Sequence, residues 1–240
     1  MEYKNVKKFI NSQKNWLEGF TLAEVLITLG VIGIVAAMTL PTVINKHQER
    51  VTVARVKKFY SVMNQALLFA IKDNGYVNDW SFVEYDEDNV SRSDKFVSYI
   101  KPYLHIAKFC GSESGCISAT YKNLKGTTLG TDYDKHKRYS KMILNDGSYL
   151  WIRNSIGSDS VNSSTECNAT DAGVKNVCGL IWLDINGKKE PNTLGRDVFV
   201  FFILKDRIIP HGNDDCNGKS TGWGCSGYIL QHDNMKYFYK

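Results

Sequence analysis

Residues 19–45 read GFTLAEVLITLGVIGIVAAMTLPTVIN, and this apolar stretch sets the expectations for the rest of the chain. No charged side chain occurs from Val25 to Asn45, a run of 21 residues. As an α-helix, that run would span roughly 30 Å, the thickness of the hydrocarbon core of a bilayer. Residues 1–19 carry four lysines, and basic flanks stay on the cytoplasmic side of a membrane. The part of the chain after the run is therefore predicted to lie outside the cytoplasm.

One carboxylate, Glu24, lies near the start of this apolar stretch. A charge in hydrocarbon costs several kcal/mol unless it is paired, so an intramembrane glutamate is a candidate functional group. The alternative is that Glu24 lies at the depth of the lipid headgroups and is solvated there. A cleavable signal peptide fits poorly, because its apolar region would be shorter and a small-x-small cleavage site would follow it.

Residues 19–24, GFTLAE, closely resemble the prepilin motif of type IV pilins and type II secretion pseudopilins, and the likeness continues through VLITLGVIGIVAAMTLP. In that family, a membrane-embedded aspartyl peptidase cuts after the glycine and N-methylates the new terminal phenylalanine. The resemblance implies cleavage between Gly19 and Phe20 and methylation of Phe20. It also implies that Glu24 of an incoming subunit meets the N-terminal amine of a neighbouring subunit.

The same resemblance implies a bacterial structural subunit and not an enzyme. Its partners would be copies of itself or other pilins in a filament, the prepilin peptidase/methyltransferase, the assembly platform of the inner membrane, and the inner membrane itself. It would span that membrane once, with its N-terminus in the cytoplasm and its head outside, before it joins a pilus or pseudopilus. Pro41 removes an intrahelical hydrogen bond and is expected to kink the helix there.

Residues 46–74 are predicted to continue as an amphipathic helix that ends at Asn74-Gly75. The expected organisation is a leader peptide (1–19), a long helix (20–74, of which 20–45 spans the membrane or forms the filament core) and a head (75–240). The apolar residues of the amphipathic part recur at spacings of three and four, on one helix face: Val53, Val56, Tyr60, Met63, Leu67 and Ala70.

Strand signals follow in the head. The sequence KMILNDGSYLWIR (141–153) predicts a hairpin, and CGLIWLDI (178–185) and RDVFVFFIL (196–204) predict strands. A last strand pair is expected in residues 224–240, and a short helix in residues 93–104 with Ser93 as its N-cap. The predicted fold is α+β, with a long N-terminal hydrophobic helix packed on an antiparallel β-sheet head, which is also the pilin-like architecture that the resemblance implies.

Six cysteines all lie after residue 109, beyond the apolar stretch, and this placement predicts disulfides in an oxidising compartment. Pairing between sequence neighbours is the simplest of the fifteen connectivities that six cysteines allow, and sequence alone does not choose among them. The neighbours form three couples: Cys110 with Cys116, Cys167 with Cys178, and Cys216 with Cys225.

Asp184, Asn186 and Asp197 surround a glycine-bearing loop between two predicted strands. Oxygen ligands around such a turn suit a hard cation such as calcium. Some pseudopilins hold calcium in a loop of the head, so the resemblance adds weight to this cofactor. The alternative is a polar loop that its own Asp and Asn side chains close.

Charge and motif content limit the remaining functions. Residues 74–240 carry twenty basic and twenty acidic side chains, so the head is neutral and broad binding to a nucleic-acid backbone is not expected. No catalytic or zinc spacing occurs among the histidines and cysteines. Three functions stay open: a pilin or pseudopilin, a signal-anchored single-span protein with a ligand-binding head, and a competence-type pseudopilin for DNA uptake.

Overall fold

A computed structural model describes residues 19–80, 92–154, 167, 169–212, 216–217 and 220–238. The chain divides into two compact units, Met1–Lys46 and His47–Lys240. Helix α1 (Leu22–Asn74) runs through the boundary between these units. The described structure is α+β, with this long helix at its start and an antiparallel sheet after it.

In the first unit, residues 19–46 form the described part, and every side chain in it is exposed. The most apolar 18 residues of α1 have a mean hydropathy of 2.2 and are not buried in the protein. By length and composition, α1 is the one described helix that could cross a membrane or anchor the chain to it. A continuous exposed apolar surface of this kind marks contact with lipid or with other chains.

The described residues of the second unit form eight strands and, besides α1, two α-helices. The helices are α2 (Arg92–Ile100) and α3 (Cys225–His232). The strands are β1 (Ile106–Gly111), β2 (Ser140–Leu144), β3 (Tyr149–Asn154), β4 (Ala169–Asp171), β5 (Val174–Val177), β6 (Gly179–Asp184), β7 (Val198–Ile203) and β8 (Ile208–Pro210). Six of them form an antiparallel sheet in the order β1-β2-β3-β6-β7-β8, and β4 pairs with β5 separately. The predicted hairpin is the β2–β3 pair.

One face of the sheet is covered by the amphipathic part of α1. The ring of Phe59 lies 5.3 Å from that of Phe201 on β7. Tyr60 of the predicted stripe is only half-buried, and Phe59 takes the inward position next to it. The other members of the stripe are buried as expected, and the buried residues of α1 are Val53, Val56, Phe59, Met63, Ala66, Leu67 and Ala70.

The other face of the sheet carries a layer of aromatic side chains that the sequence did not predict. Tyr121 and Tyr133 come from the irregular segment between β1 and β2, and their rings lie 4.8 and 5.7 Å from that of Trp151 on β3. Because helix and aromatic layer cover opposite faces, every residue of β6 and β7 is buried. This double burial explains why both strands read as continuous apolar runs without alternation.

The predicted strand pair in residues 224–240 is wrong, because this segment begins with helix α3. The Ser226 hydroxyl donates to the Val200 carbonyl and accepts the His211 N–H (3.1 Å). Helix α3 therefore binds backbone groups of β7 and of the residue that follows β8. The expected N-cap at Ser93 is also wrong: Ser93 lies inside α2, and its hydroxyl donates to the Arg138 carbonyl (2.6 Å).

Candidate functional site

The Gly19–Phe20 peptide bond lies outside helix α1. Both residues have irregular backbone, and the Phe20 side chain is 87% exposed. The helix begins at Leu22, two residues further on. Proteases cut exposed backbone outside regular elements most readily, so this bond can be reached without unwinding the helix.

Thr21 and Glu24 form a capping box at the start of α1. The Thr21 N–H and hydroxyl both donate to Glu24 Oε2 (2.8 Å each), and the Glu24 N–H donates to Thr21 Oγ1 (3.2 Å). Such a pair satisfies two backbone N–H groups that the first turn of a helix leaves unpaired. Glu24 therefore has an internal partner within its own chain. The Thr-x-x-Glu spacing before an apolar run was the available signal for this pairing.

Helix α1 continues through Pro41 without interruption. Proline has no N–H, so one hydrogen bond of the helix is absent there. The kink expected at Pro41 stays a prediction.

All six cysteines form disulfides, as predicted, and they pair as sequence neighbours, the simplest of the connectivities that the sequence left open: Cys110–Cys116, Cys167–Cys178 and Cys216–Cys225. Each bond ties irregular chain to a strand or helix boundary, for Cys110 lies in β1, Cys178 directly precedes β6, and Cys225 begins α3. Disulfides of this kind are typical of proteins in oxidising compartments.

The loop between β6 and β7 begins and ends at a buried carboxylate. Asp184, the last residue of β6, has no exposed surface, and Asp197 is 4% exposed. Asp184 Oδ1 accepts the N–H groups of Asn186 (3.1 Å) and Gly187 (3.0 Å). Gly187 has a φ of +61°, and a Cβ atom there would lie 2.2 Å from the Gly147 carbonyl oxygen. The tight turn after Asp184 therefore requires glycine.

Asp197 closes the same loop from its other end. Its carboxylate accepts the N–H groups of Asn192 (2.9 Å) and Thr193 (2.5 Å) and the side-chain amide of Asn186 (3.0 Å). Asn192 has a φ of +51°, a left-handed conformation that Asn tolerates better than most residues. The structure thus brings Asp184, Asn186 and Asp197 into one network and adds Asn192, which was not among the predicted ligands.

Three buried oxygen atoms of this network have no partner at normal hydrogen-bond distance in the described part of the chain: Asp184 Oδ2, Asn186 Oδ1 and Asn192 Oδ1. The Tyr121 hydroxyl is nevertheless close enough to Asp184 to act on its pKa, which it lowers. Carboxylate and amide oxygens are the ligands that calcium prefers, so the donor set fits that ion. Among the described residues, no three His, Cys, Asp or Glu side chains come together to hold a metal. A cation at this loop would therefore depend on the asparagine oxygens as well as on the two aspartates.

The electrostatics of the loop favour a cation or a proton. Burial raises the pKa of Asp184 to about 8, and the charge of Asp197 adds to that shift. Burial also raises the pKa of Asp197, although the Thr193 N–H opposes the shift. Without a cation, Asp184 is thus mostly protonated at neutral pH. A bound divalent ion would reverse this preference and release the proton.

Lys141 is a buried cation that the sequence analysis did not single out. Its ammonium donates to the carbonyl oxygens of Ser112 (2.8 Å), Asp134 (2.8 Å) and His136 (3.3 Å). Burial lowers the pKa of Lys141, while Asp134 opposes that shift. These bonds tie the segment that carries the aromatic layer to strand β2. All three ammonium donors are used, which favours a structural role for this side chain.

Comparison of the chain with curated proteins and with solved structures gives no match. One family model matches residues 42–237, which include all six cysteines and the β6–β7 loop. The stretch with the Gly19–Phe20 bond and Glu24 lies outside the matched range. On the extent of this match, the chain belongs to the Family of unknown function (DUF6613).

Proposed function

We propose that this chain is a structural subunit of a type IV pilus or of a type II secretion-like filament. It is made as a prepilin, cut between Gly19 and Phe20 and N-methylated at Phe20, and it performs no catalysis. The observation that carries the proposal is the GFTLAE sequence at the start of an apolar helix whose side chains are all exposed from residue 22 to residue 46. The α+β head with its disulfides is compatible with a pilin-like fold, which is part of the same proposal.

In this proposal, two opposite charges at the start of α1 drive the assembly of the filament. Cleavage places an ammonium group on Phe20, and Glu24 lies one helical turn further on. Before assembly, Thr21 satisfies Glu24 through two hydrogen bonds, which reduces the cost of a carboxylate near lipid. In the low dielectric of a filament core, the ammonium of one subunit and the carboxylate of the next attract much more strongly than in water. The exposed apolar side chains of α1 then become buried between subunits.

Intact-mass spectrometry of the chain from its native membranes tests this processing. We expect a chain that starts at methylated Phe20, with no free thiol before reduction. Gly19→Val should block cleavage, whereas Gly30→Val should leave it unchanged. Neither substitution meets another atom within 4 Å of the added Cβ, so each fits the folded chain. A wild-type chain that still begins at Met1 would favour the signal-anchored single-span protein over a pilin.

We also propose calcium as the ligand of the β6–β7 loop, held by Asp184, Asn186, Asn192 and Asp197. The support is the three unpartnered oxygens and the raised pKa of Asp184. Calcium would neutralise both carboxylates and stabilise the loop between two fully buried strands.

Calorimetric titration of the full chain with calcium at neutral pH, in two buffers of different ionisation enthalpy, tests this site. We expect saturable binding with release of about one proton per ion. Asp184→Asn should abolish both, whereas Asp206→Asn, in the turn after β7, should change neither. Binding that survives Asp184→Asn would place calcium elsewhere, and no binding by the wild-type chain would leave the loop closed by its own hydrogen bonds.

A further inference from the structure

A pocket of about 250 Å³ lies in the second unit between α1 and the β2–β3 hairpin. Apolar side chains from α1, the β2–β3 hairpin, the end of β6 and the segment before β1 form most of its wall: Phe59, Val62, Leu104, Leu144, Leu183 and Ile185. Leu183 and Ile185 are almost fully buried, while Val62 is 38% exposed. The pocket thus has an apolar floor that belongs to the core and an opening beside the exposed side of α1.

Two basic side chains stand at the opening. Arg55 and Lys58 come from neighbouring turns of α1 and are both exposed. Arg55 Nη1 donates to the Ile185 carbonyl (2.7 Å), which fixes the guanidinium beside the pocket and leaves its other donors available.

The other titratable groups in the lining are Asp146 and His105. Burial raises the pKa of Asp146, but its bonds with Ser148 and the charges of Lys58 and Arg55 outweigh this effect and lower it. Arg55 and Lys58 thus place two cations against the one carboxylate of Asp146, so the opening carries net positive charge.

We propose that this pocket binds a small amphipathic carboxylate, with its apolar body against the floor and its carboxylate between Arg55 and Lys58. An apolar wall gains free energy by burying hydrocarbon or an aromatic ring. The planar guanidinium is suited to bidentate binding of a carboxylate. This inference does not depend on filament assembly, because every residue in it belongs to the second unit.

Two other occupants fit less well. An amphipathic amine would have the same apolar body, but both cations at the opening would repel its head group. An apolar side chain from a second copy of the protein would fill the floor but would cover Arg55 and Lys58 without giving them an acceptor. Both occupants are distinguishable outcomes of the experiment.

The test is fluorine NMR of the full chain in nanodiscs with para-fluorophenylbutyrate as the probe. Para-fluorophenylbutylamine, with the same aromatic body and the opposite charge, is the matched ligand. Empty nanodiscs correct for partition of either probe into lipid. We expect protein-dependent line broadening of the carboxylate probe that saturates as its concentration rises. The apparent affinity for the amine should be at least about tenfold weaker.

Substitutions in and away from the pocket show where the carboxylate probe binds. Arg55→Gln should weaken it about tenfold or more, and Lys58→Gln about threefold. Lys72→Gln removes an exposed cation from another part of α1 and should leave affinity unchanged. Val62→Trp adds bulk at the opening and should abolish binding. Because Arg55 also holds the Ile185 carbonyl, Lys58→Gln and Val62→Trp keep the test decisive even if Arg55→Gln disturbs the fold.

Equal binding of amine and carboxylate would overturn the proposal, since the pocket would then be a simple apolar site. Unchanged affinity in both Lys58→Gln and Val62→Trp would overturn it as well. A wild-type chain that binds neither probe would overturn the proposal too, and cross-linking of Val62→Cys to a second copy would then assign the pocket to self-association.

Discussion

The two halves of helix α1 place similar side chains in opposite environments. Met38, in the first half, is 75% exposed, whereas Met63, in the second half, has no exposed surface. All side chains from residue 22 to residue 46 are exposed, but seven apolar residues of the later half are buried. The later half gains its stability from the core of the second unit. The first half has no comparable partner within its described unit, and such an exposed apolar surface is typical of contact with lipid or with other chains.

This contrast shows that the two halves of one helix can be stabilised by different contacts. In the later half, the spacing of apolar residues follows one helix face, because only that face meets the sheet. In the earlier half, apolar residues surround the helix, which suits a membrane or the interior of a bundle. Perturbations of the two halves should therefore change different measurable properties.

Glu24→Ala gives the largest expected effect on filament assembly. Since Glu24 is the only carboxylate in the first half of α1, its removal takes away the proposed partner of the Phe20 amine. We expect the amount of this subunit in sheared filaments to fall at least about tenfold, the equivalent of 1.4 kcal/mol or more of lost pairing. Quantitative immunoblots check this, with Glu113→Ala on the exposed surface of the head as control. Normal incorporation of Glu24→Ala would show that filament assembly does not need this charge pair.

The methionine pair compares the two halves directly. Met63→Ala should lower the free energy of unfolding by about 2–5 kcal/mol, because it leaves a cavity in the core. Met38→Ala removes the same atoms from an exposed position and should change it by less than about 0.5 kcal/mol. Urea unfolding of the full chain in one detergent, followed by the fluorescence of the head tryptophans, gives both values. Similar losses in both variants would show that the first half also has a packed partner in the isolated chain.

The buried carboxylate of Asp184 in the second unit predicts that the free energy of unfolding depends on pH. The folded chain keeps the Asp184 proton up to a pKa of about 8, whereas an unfolded chain loses it near pH 4. The calcium-free free energy of unfolding should therefore fall by about 1.4 kcal/mol per pH unit as pH rises through that window. Asp184→Asn should flatten this slope, and calcium should restore stability at the alkaline end. Chemical denaturation at a series of pH values measures the slope, and an equal slope in Asp184→Asn would assign it to other groups.

Short-range patterns in the sequence predicted the elements whose structure depends on neighbouring residues. The stripe on the later half of α1 follows helical spacing, and the Asn145-Asp146-Gly147 turn marks the β2–β3 hairpin. The sequence predicted that the six cysteines form disulfides, but it left the choice among the connectivities open, and the structure shows that each bond closes a short loop. Helix α3 was missed because its apolar residues also suit a strand, and contacts of Ser226 with distant backbone decide between the two.

The aromatic layer and Lys141 lay beyond sequence reasoning for a different reason. The segment that carries Tyr121 and Tyr133 has little regular structure, so its apolar residues show no helix or strand periodicity that would predict their burial. Lys141 occupies a strand position where a solvated lysine is the usual expectation. Its burial depends on three carbonyl groups, including those of Ser112 and His136, that come together only in the folded chain. In the β6–β7 loop, spacing indicated the two aspartates, but only the left-handed turn brings Asn192 to them.

The smallest expected effect lies at the capping box, where the first half of α1 begins. Thr21→Ala removes the hydroxyl that accepts the Glu24 N–H and also donates to its carboxylate. Loss of an N-cap costs about 1 kcal/mol, so the Glu24 amide should exchange its hydrogen about fivefold faster. Thr21→Ser keeps the hydroxyl and should exchange like the wild type. Hydrogen exchange followed by NMR on the unassembled chain in micelles measures both. Because Met63 and its neighbours are unaffected, exchange in the later half should not change. Faster exchange there would show that the two halves of the helix open together, and equal exchange in Thr21→Ala and Thr21→Ser would show that Glu24 has another partner.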